Sequence, residues 1–194
     1  MNDNRREPPV KLRVTGLQEA QLADLVRIEG EIAFERAQAG VAASACVART
    51  DTDLVVMMRD HDVRVLEADY EPAGYLAWRD QAPGIAVIEA LAIDGTLRRY
   101  GLGTRLLREI GDKAKDHAIP FAVVLCPAGD LVARIFLSKR GFMTAKPDAE
   151  LPTVVSAWLQ GLGAGRIVPG LELWWTGTEG LGTIPGLPPP EPTW

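Results

Sequence analysis

At 194 residues, with 47% hydrophobic and 24% charged side chains, the chain has the composition of one globular domain with a core of its own. A formal charge of −5 excludes a general nucleic-acid binder, which needs a basic face, and suits a cationic or amine-bearing small molecule. Cys46 and Cys126 stand apart without metal-ligand spacing, Pro8 and Pro9 fall where a signal peptide needs an apolar run, and no stretch is long enough to span a membrane, so the chain is expected in the cytoplasm, without disulfides, metal or membrane partner.

The first expected element is a short strand over Lys11 to Val14, followed by Thr15-Gly16-Leu17-Gln18, which has the spacing of a capping box. A helix then carries apolar Leu22, Leu25, Val26, Ile32 and Ala33 on one stripe, with Glu29, Glu31 and Glu35 punctuating the rest. Those glutamates read as a solvated face. A second helix is expected somewhere between Gly40 and Asp60, because a structureless loop of that length is uncommon.

From Val63 the period falls to two. Val63 and Val65 alternate with Arg64 and Leu66, "DYEPAG" (69–74) turns the chain, and Tyr75 to Trp78 returns as the second arm of an antiparallel hairpin. After a turn at Gln81 to Gly84, "IAVIEALAI" (85–93) is apolar except for Glu89, as expected of a central strand buried on both faces. The next helix carries Leu106, Leu107, Ile110 and Ala114 on one face and ends before Pro120, and "FAVVL" (121–125) supplies another buried strand. A strand, crossover helix and strand in this order form a parallel unit.

"LRRYGLGTRLLREI" (97–110) lies at the first turn of that unit, where unpaired N–H groups at a helix N-terminus bind anions. A dinucleotide fingerprint needs a third glycine, and the chain has Leu106 there; a Walker loop needs a Gly-Lys-Ser/Thr ending that occurs nowhere. What remains is Arg98-x-x-Gly101-x-Gly103, with Arg99 as a second cation for a diphosphate.

In this setting the chain resembles the GCN5-related N-acetyltransferases (GNAT), whose pyrophosphate loop reads (Gln/Arg)-x-x-Gly-x-(Gly/Ala). Arg98, Gly101 and Gly103 match it, "LAID" (91–94) precedes it as the family's central strand does, and "ARIFLSKRGF" (133–142) follows like the family's coenzyme A helix with its Gly141-Phe142 turn. The resemblance covers residues 63–143, and the first strand and helix loosely. It implies an α/β fold, a mixed and mostly antiparallel central sheet flanked by helices, with a splayed parallel pair at the centre, here 86–93 and 121–126. The first helix, which shapes the acceptor pocket in the family, would put Glu29, Glu31 and Glu35 on the acceptor side as the alternative to a solvated face. Acetyl-CoA is the implied cosubstrate. Its pyrophosphate would lie on the backbone from Arg99 through Tyr100, Gly101, Leu102 and Gly103 to Thr104, its pantetheine arm along Leu91, Ala92 and Ile93, and the helix contacts would fall at Asp130, Ala133 and Phe136.

The implied reaction needs a neutral amine, a polarised thioester and a proton for the leaving thiolate. Glu89, the lone acid of its strand, is the candidate general base, acting through water as the family's strand glutamate often does; the competing reading pairs it with an arginine such as Arg79. The family's acid tyrosine is replaced by Leu137, which leaves Tyr100, Ser138 or water as donor, or a thiolate that departs unaided. Asp130 stands for the asparagine that often precedes the last helix and can cap it equally well. Cys126 near the splay is more often an inert thiol than an acyl carrier, and His61 and His117 enter no mechanism.

Toward the C-terminus, "TVVSAWLQGLGAG" (153–165) reads as a short helix ending in glycines and "GLELWWTG" (170–177) as a strand whose Trp174 and Trp175 face opposite sides. The acyltransferase domain is expected over 1–176 and a Gly/Pro-rich tail over 177–194, which is either disordered or packs through Trp194 on a second copy in a homodimer. The expected function is acetyl transfer from acetyl-CoA to a primary amine, of a small molecule or a protein, by direct attack in a ternary complex. The alternatives are a non-catalytic coenzyme A sensor with a degenerate site and a doubly wound nucleotide-binding module.

Overall fold

A computed structural model of the chain describes Pro9 and residues 11–145, 150–161 and 170–181. Strand β1 (Leu12–Gly16) leads through a 3-10 turn at Glu19–Gln21 into α1 (Leu22–Gln38), and α2 (Asp51–Asp60) is followed by β2 (Asp62–Ala68), β3 (Glu71–Ala82) and β4 (Ile85–Ile93). Helix α3 (Leu102–Asp116) crosses to β5 (Phe121–Pro127), and α4 (Leu131–Ser138), β6 (Met143–Thr144), α5 (Thr153–Gly161) and β7 (Leu171–Gly177) complete the described elements.

Several boundaries differ from those expected, each for a local reason. Thr15 and Gly16 pair with Val65 and Arg64 of β2, so the helix start moves on to Gln18, whose N–H donates to Gln21 Oε1 at 2.9 Å. The second helix is capped by Thr50, which receives the Asp53 N–H at 3.2 Å and donates its own N–H to Asp53 Oδ2 at 2.8 Å. The β2–β3 turn is only Asp69-Tyr70, with φ of +51° and +72°, the left-handed pair that matches the twist of a hairpin.

The strands form one sheet in the order β1-β2-β3-β4-β5-β7-β6, with β4 and β5 parallel and every other neighbouring pair antiparallel. One face is sealed by α3 and α4: Leu106, Leu107 and Ile110 are fully buried there against Leu76, Trp78, Ile88 and Trp174, each contributing about 1.5–3 kcal/mol of burial. The opposite face is divided. Helices α1 and α2 cover Tyr75, Ala77, Ala90 and Ala92 with Leu25, Ile28, Leu54 and Met57, while α5 covers Ile85, Val87, Val123 and Leu173 with Val155 and Trp158.

Strand β7 inserts between β5 and β6, an order that local patterning does not carry. Trp174 packs in the α3 core and Trp175 on the other face, where its ring meets Phe121 edge-on at 6.1 Å between centroids. The chain stays packed past the boundary expected at residue 176. Thr178 Oγ1 donates to the Ile119 carbonyl at 2.6 Å, and Leu181 is buried against Gly111 of α3. The rest of the expected tail, Trp194 included, and the glycine ending at 162–165 lie outside the described residues.

Candidate active site

A bulge in β4 organises the centre of the sheet. Ala77 of β3 faces Ala90 and Trp78 faces Ile88, so Glu89 is the extra residue. The parallel pairing of β4 with β5 stops at Ile88 and Val124, immediately before it. Beyond that point the two strands part, β5 continuing with β7 to Pro127 and β4 with β3 to Ile93. A cleft of about 350 Å³ opens between Glu89–Ala92 and Val124–Pro127, with Glu29, Ile32 and Arg36 of α1 on one side and Leu137 of α4 on another.

The anion-binding turn begins where β4 ends. Asp94 caps a 3-10 turn at Gly95–Leu97, accepting from Thr96 N–H at 2.9 Å and Thr96 Oγ1 at 2.6 Å, and Arg27 of α1 reaches its other oxygen at 3.1 Å. Gly101 then takes φ +79° as N-cap of α3, a left-handed conformation that favours glycine, and open space lies where a Cβ would be. The first bond of the α3 ladder runs from Arg105 N–H to the Gly101 carbonyl, so the N–H groups of Leu102, Gly103 and Thr104 precede it. Gly103 serves a different need: a Cβ there would come within 3.1 Å of the Phe136 ring of α4.

The two arginines of the turn part company. Arg98 folds back, its Nε donating to the Ile93 carbonyl at 3.2 Å and its Nη1 to Glu35 at 2.5 Å, so it ties the turn to β4 and α1. Arg99 is exposed, with φ +74°. A third cation absent from the sequence expectations, Arg140, donates to Thr104 Oγ1 at 2.7 Å and stacks 5.3 Å over the Phe136 ring. Asp130 caps α4 by accepting the Ala133 N–H at 2.9 Å and pairs with Arg36 at 2.7 Å, joining α4 to α1.

On the far side of the cleft, Glu29 is 4% exposed rather than part of a solvated face. Its carboxylate accepts from Tyr75 Oη at 2.6 Å and from Arg49 Nη1 at 3.2 Å to each oxygen. Arg49 Nη2 in turn donates to the carbonyl of Glu89, the bulge residue, at 2.8 Å. Burial opposes the Arg49 charge, and Tyr75 and Glu29 more than offset it; the same burial, with Glu29 beside it, pushes the Tyr75 hydroxyl far up, so it remains a donor. Glu29 lies four residues after Leu25 and three before Ile32, which is the spacing of the buried stripe; Arg49 carries no comparable signal. Glu31 and Glu35 are exposed and pair with Arg27 and Arg98.

The Glu89 side chain is 33% exposed, not enclosed as a lone acid in an apolar strand would be, because the bulge turns it into the cleft. Its Oε1 pairs with Arg79 Nη2 at 2.9 Å, and a second hollow of about 340 Å³, lined by Met57 and His61, opens on that side. Neither substitute proton donor reaches the cleft. Tyr100 packs against the α3 core, and Ser138, the last residue of α4, is exposed and does not line the cleft. Cys126 does line the cleft, but burial, followed by the neighbouring Asp130 charge, pushes its thiol up to about 12, which leaves it neither a nucleophile nor an effective acid.

Among the described residues, no group of His, Cys, Asp or Glu could hold a metal ion, and no helix is long and apolar enough to cross a membrane. No curated protein matches the chain by sequence. Among solved structures, the fold is shared with the PaiA N-acetyltransferase from Thermoplasma acidophilum in complex with coenzyme A, at a TM-score of 0.65 and 14% identity over 87% of this chain and 99% of that one. It is shared also with the ribosomal-protein-S18-alanine N-acetyltransferase from Escherichia coli (0.59, 14%, 95% and 99%) and with yncA from Salmonella typhimurium, a putative acetyltransferase with acetyl-CoA (0.60, 14%, 87% and 94%). The profile of the acetyltransferase (GNAT) family matches residues 47–142, a segment that holds Arg49, the bulge, the splay, the anion-binding turn and α4. Through that segment and the sheet built around it, the chain belongs to the acetyltransferase (GNAT) family.

Proposed function

We propose that the protein transfers an acyl group, acetyl in the first instance, from acyl-CoA to a primary amine by direct attack in a ternary complex in the cytoplasm. The observation that carries this reading is the coincidence of the Glu89 bulge with the end of β4–β5 pairing, one short strand away from the Gly101 helix start. The residues present fit acetyl-CoA as cosubstrate. Backbone N–H groups of Leu102, Gly103 and Thr104 would take the pyrophosphate, with Arg99 the exposed cation nearest in sequence, and the Leu91–Ile93 backbone, freed from β5, would take the pantetheine arm. The cosubstrate supplies the activated carbonyl; the chain supplies position and a proton acceptor.

A lysine-like amine is about one part in a thousand neutral at pH 7, a penalty of roughly 4 kcal/mol without a base. Glu89 meets that need, projecting into both hollows beside the acidic Asp53. The acceptor is either a small-molecule amine or a protein amine, and the chain's net charge of −5 gives a slight preference to cationic ones. With Leu137 at the usual tyrosine position, the thiolate leaves unaided and takes its proton from water.

Thiol release from acetyl-CoA with a panel of amines tests the reading. Glu89→Gln is expected to lower kcat about a hundredfold while holding acetyl-CoA affinity within about twofold. A variant as active as the parent would return Glu89 to a structural role. The replacement of the acid favours one second reading, a coenzyme A sensor, for which acetyl-CoA would raise Tm and no acceptor would release thiol. Stabilisation by ATP or NAD alone would sink both.

A further inference from the structure

His61 follows α2 directly, and its side chain meets that of the bulge residue: His61 Nε2 lies 4.0 Å from Glu89 Oε1. The other ring nitrogen, Nδ1, is 3.3 Å from the Met57 carbonyl oxygen. A carbonyl can only accept, so Nδ1 carries a proton, and in the neutral ring Nε2 presents a bare lone pair. That Nε2 is buried and has no hydrogen-bond partner. Two acceptors therefore face each other, an arrangement that one added proton turns from repulsive to attractive.

We propose that Glu89 and His61 form one shared proton site, and that the proton leaving the acceptor amine is stored on this pair rather than on Glu89 alone. The catalytic half of this inference rests on the acyl transfer proposed above; the shared site does not. In the transfer, the amine nitrogen forms its bond to the acyl carbon, the carbon–sulfur bond breaks with its electron pair leaving on sulfur, and one N–H proton passes to Glu89 Oε1. A small rotation of that part-exposed side chain hands the proton to His61 Nε2, and the proton returns to solvent back through Glu89 while the thiolate takes a proton from water.

The charged groups around the pair come from every neighbouring element. Arg79 of β3 binds Glu89, Arg49 lies across the hollow held by Glu29, and Asp53 of α2 is engaged by its own cap at Thr50. Asp62, next in the chain, turns away onto Arg64 and onto Lys113 of α3.

The chain has only two histidines, and His117 is exposed at the end of α3, so His117→Gln leaves one imidazole to follow by NMR. In that background Glu89→Gln is expected to change the His61 ring signals across a pH series, since the group 4.0 Å from Nε2 is no longer a carboxylate. An unchanged ring titration would overturn the shared site. His61→Asn keeps a donor toward Met57 and deletes Nε2. It is expected to lower kcat about tenfold to a hundredfold, leave the KM for acetyl-CoA unchanged and remove one limb of the pH–rate profile, assayed by thiol release with a linear diamine, an aminoglycoside and a lysine peptide. Coincident profiles for parent and variant would overturn the catalytic half. If the parent releases no thiol with any of these amines, the acyl-transfer reading fails and the catalytic half with it, while the NMR titration still decides the shared site.

Discussion

Arg49→Met is expected to lower the unfolding free energy by about 2 kcal/mol, because Arg49 is the cation of a carboxylate that water scarcely reaches. Glu29 is 4% exposed, and without Arg49's guanidinium its remaining donors are the Tyr75 hydroxyl at 2.6 Å and the backbone N–H of residue 49 at 3.5 Å. Breaking a fully buried ion pair from one side costs about 3–5 kcal/mol. The Arg49 side chain is 32% exposed, so solvent enters the vacated space and the cost falls below that range. For a domain of this size about 2 kcal/mol is a fall in Tm of about 4–8 °C. Methionine retains most of the apolar stem, which separates lost charge from lost packing. Thermal unfolding of the parent, Arg49→Met, Glu29→Gln and the double variant closes a cycle in which the double should be less destabilised than the sum by about 1–2 kcal/mol. Additivity within about 0.5 kcal/mol would refute the pairing as the source of the stability. Arg49→Lys should recover Tm better than kcat, since one ammonium can hold Glu29 but cannot also span to the Glu89 carbonyl.

The two glycines of the turn should fail differently. Gly101→Ala places a side chain at φ +79° and should cost about 1–2 kcal/mol; Gly103→Ala instead pushes the Phe136 ring, so Phe136→Leu should restore Tm in the second background and not in the first, and equal rescue of both would refute the distinction. Asp94 should make the turn acid-sensitive: burial acts to raise its carboxyl, yet the Thr96 hydrogen bonds and Arg27 outweigh it and hold the group below the usual aspartate value. The unfolded chain then takes the proton first as pH falls, so this stability is complete above about pH 4 and lost as pH drops through the lower native value. Urea unfolding at a series of pH values should show a shallower acid loss for Asp94→Asn than for the parent, and identical slopes would refute the assignment.

Local chemistry made the central strand legible. In "IAVIEALAI" the apolar run has the bounds of β4, and the glycines and arginines of 98–103 marked a helix start that α3 takes up. What escaped was set by pairing between distant segments. The bulge exists only in the register of β4 against β3, so nothing in the strand alone separates a Glu89 that points into a core from one that points into a cleft. Arg49 sits in an Ala-rich stretch without periodicity, and its partners are on α1 and β4. Arg98, the specified cation of the motif, had a carboxylate at Glu35, on α1, that the motif does not mention. Tyr100 and Ser138 have the right chemistry close to the motif, but Tyr100 in the turn before α3 packs against the core and Ser138 ends α4 exposed.

The bulge is also held by the side chains on either side of it. Before it, Ala86 and Ile88 face the α3 core while Ile85 and Val87 face α5. After it the parity has changed: Leu91 and Ile93 face α3, and Ala90 and Ala92 face α1 and α2. Healing the bulge into regular pairing would turn each of the later residues to the opposite side. Leu91 and Ile93 would then be driven against Ile28 and Leu54 where only alanines fit, and alanines would leave cavities under α3, at about 2–5 kcal/mol for each large side chain lost from a packed position. Packing on both faces therefore keeps the extra residue in place, and the extra residue is the glutamate. The carboxylate is thus delivered to the cleft by the same alternation of large and small residues that fills the core, and Arg49 and Arg79 then hold the bulge residue there by its carbonyl and its carboxylate.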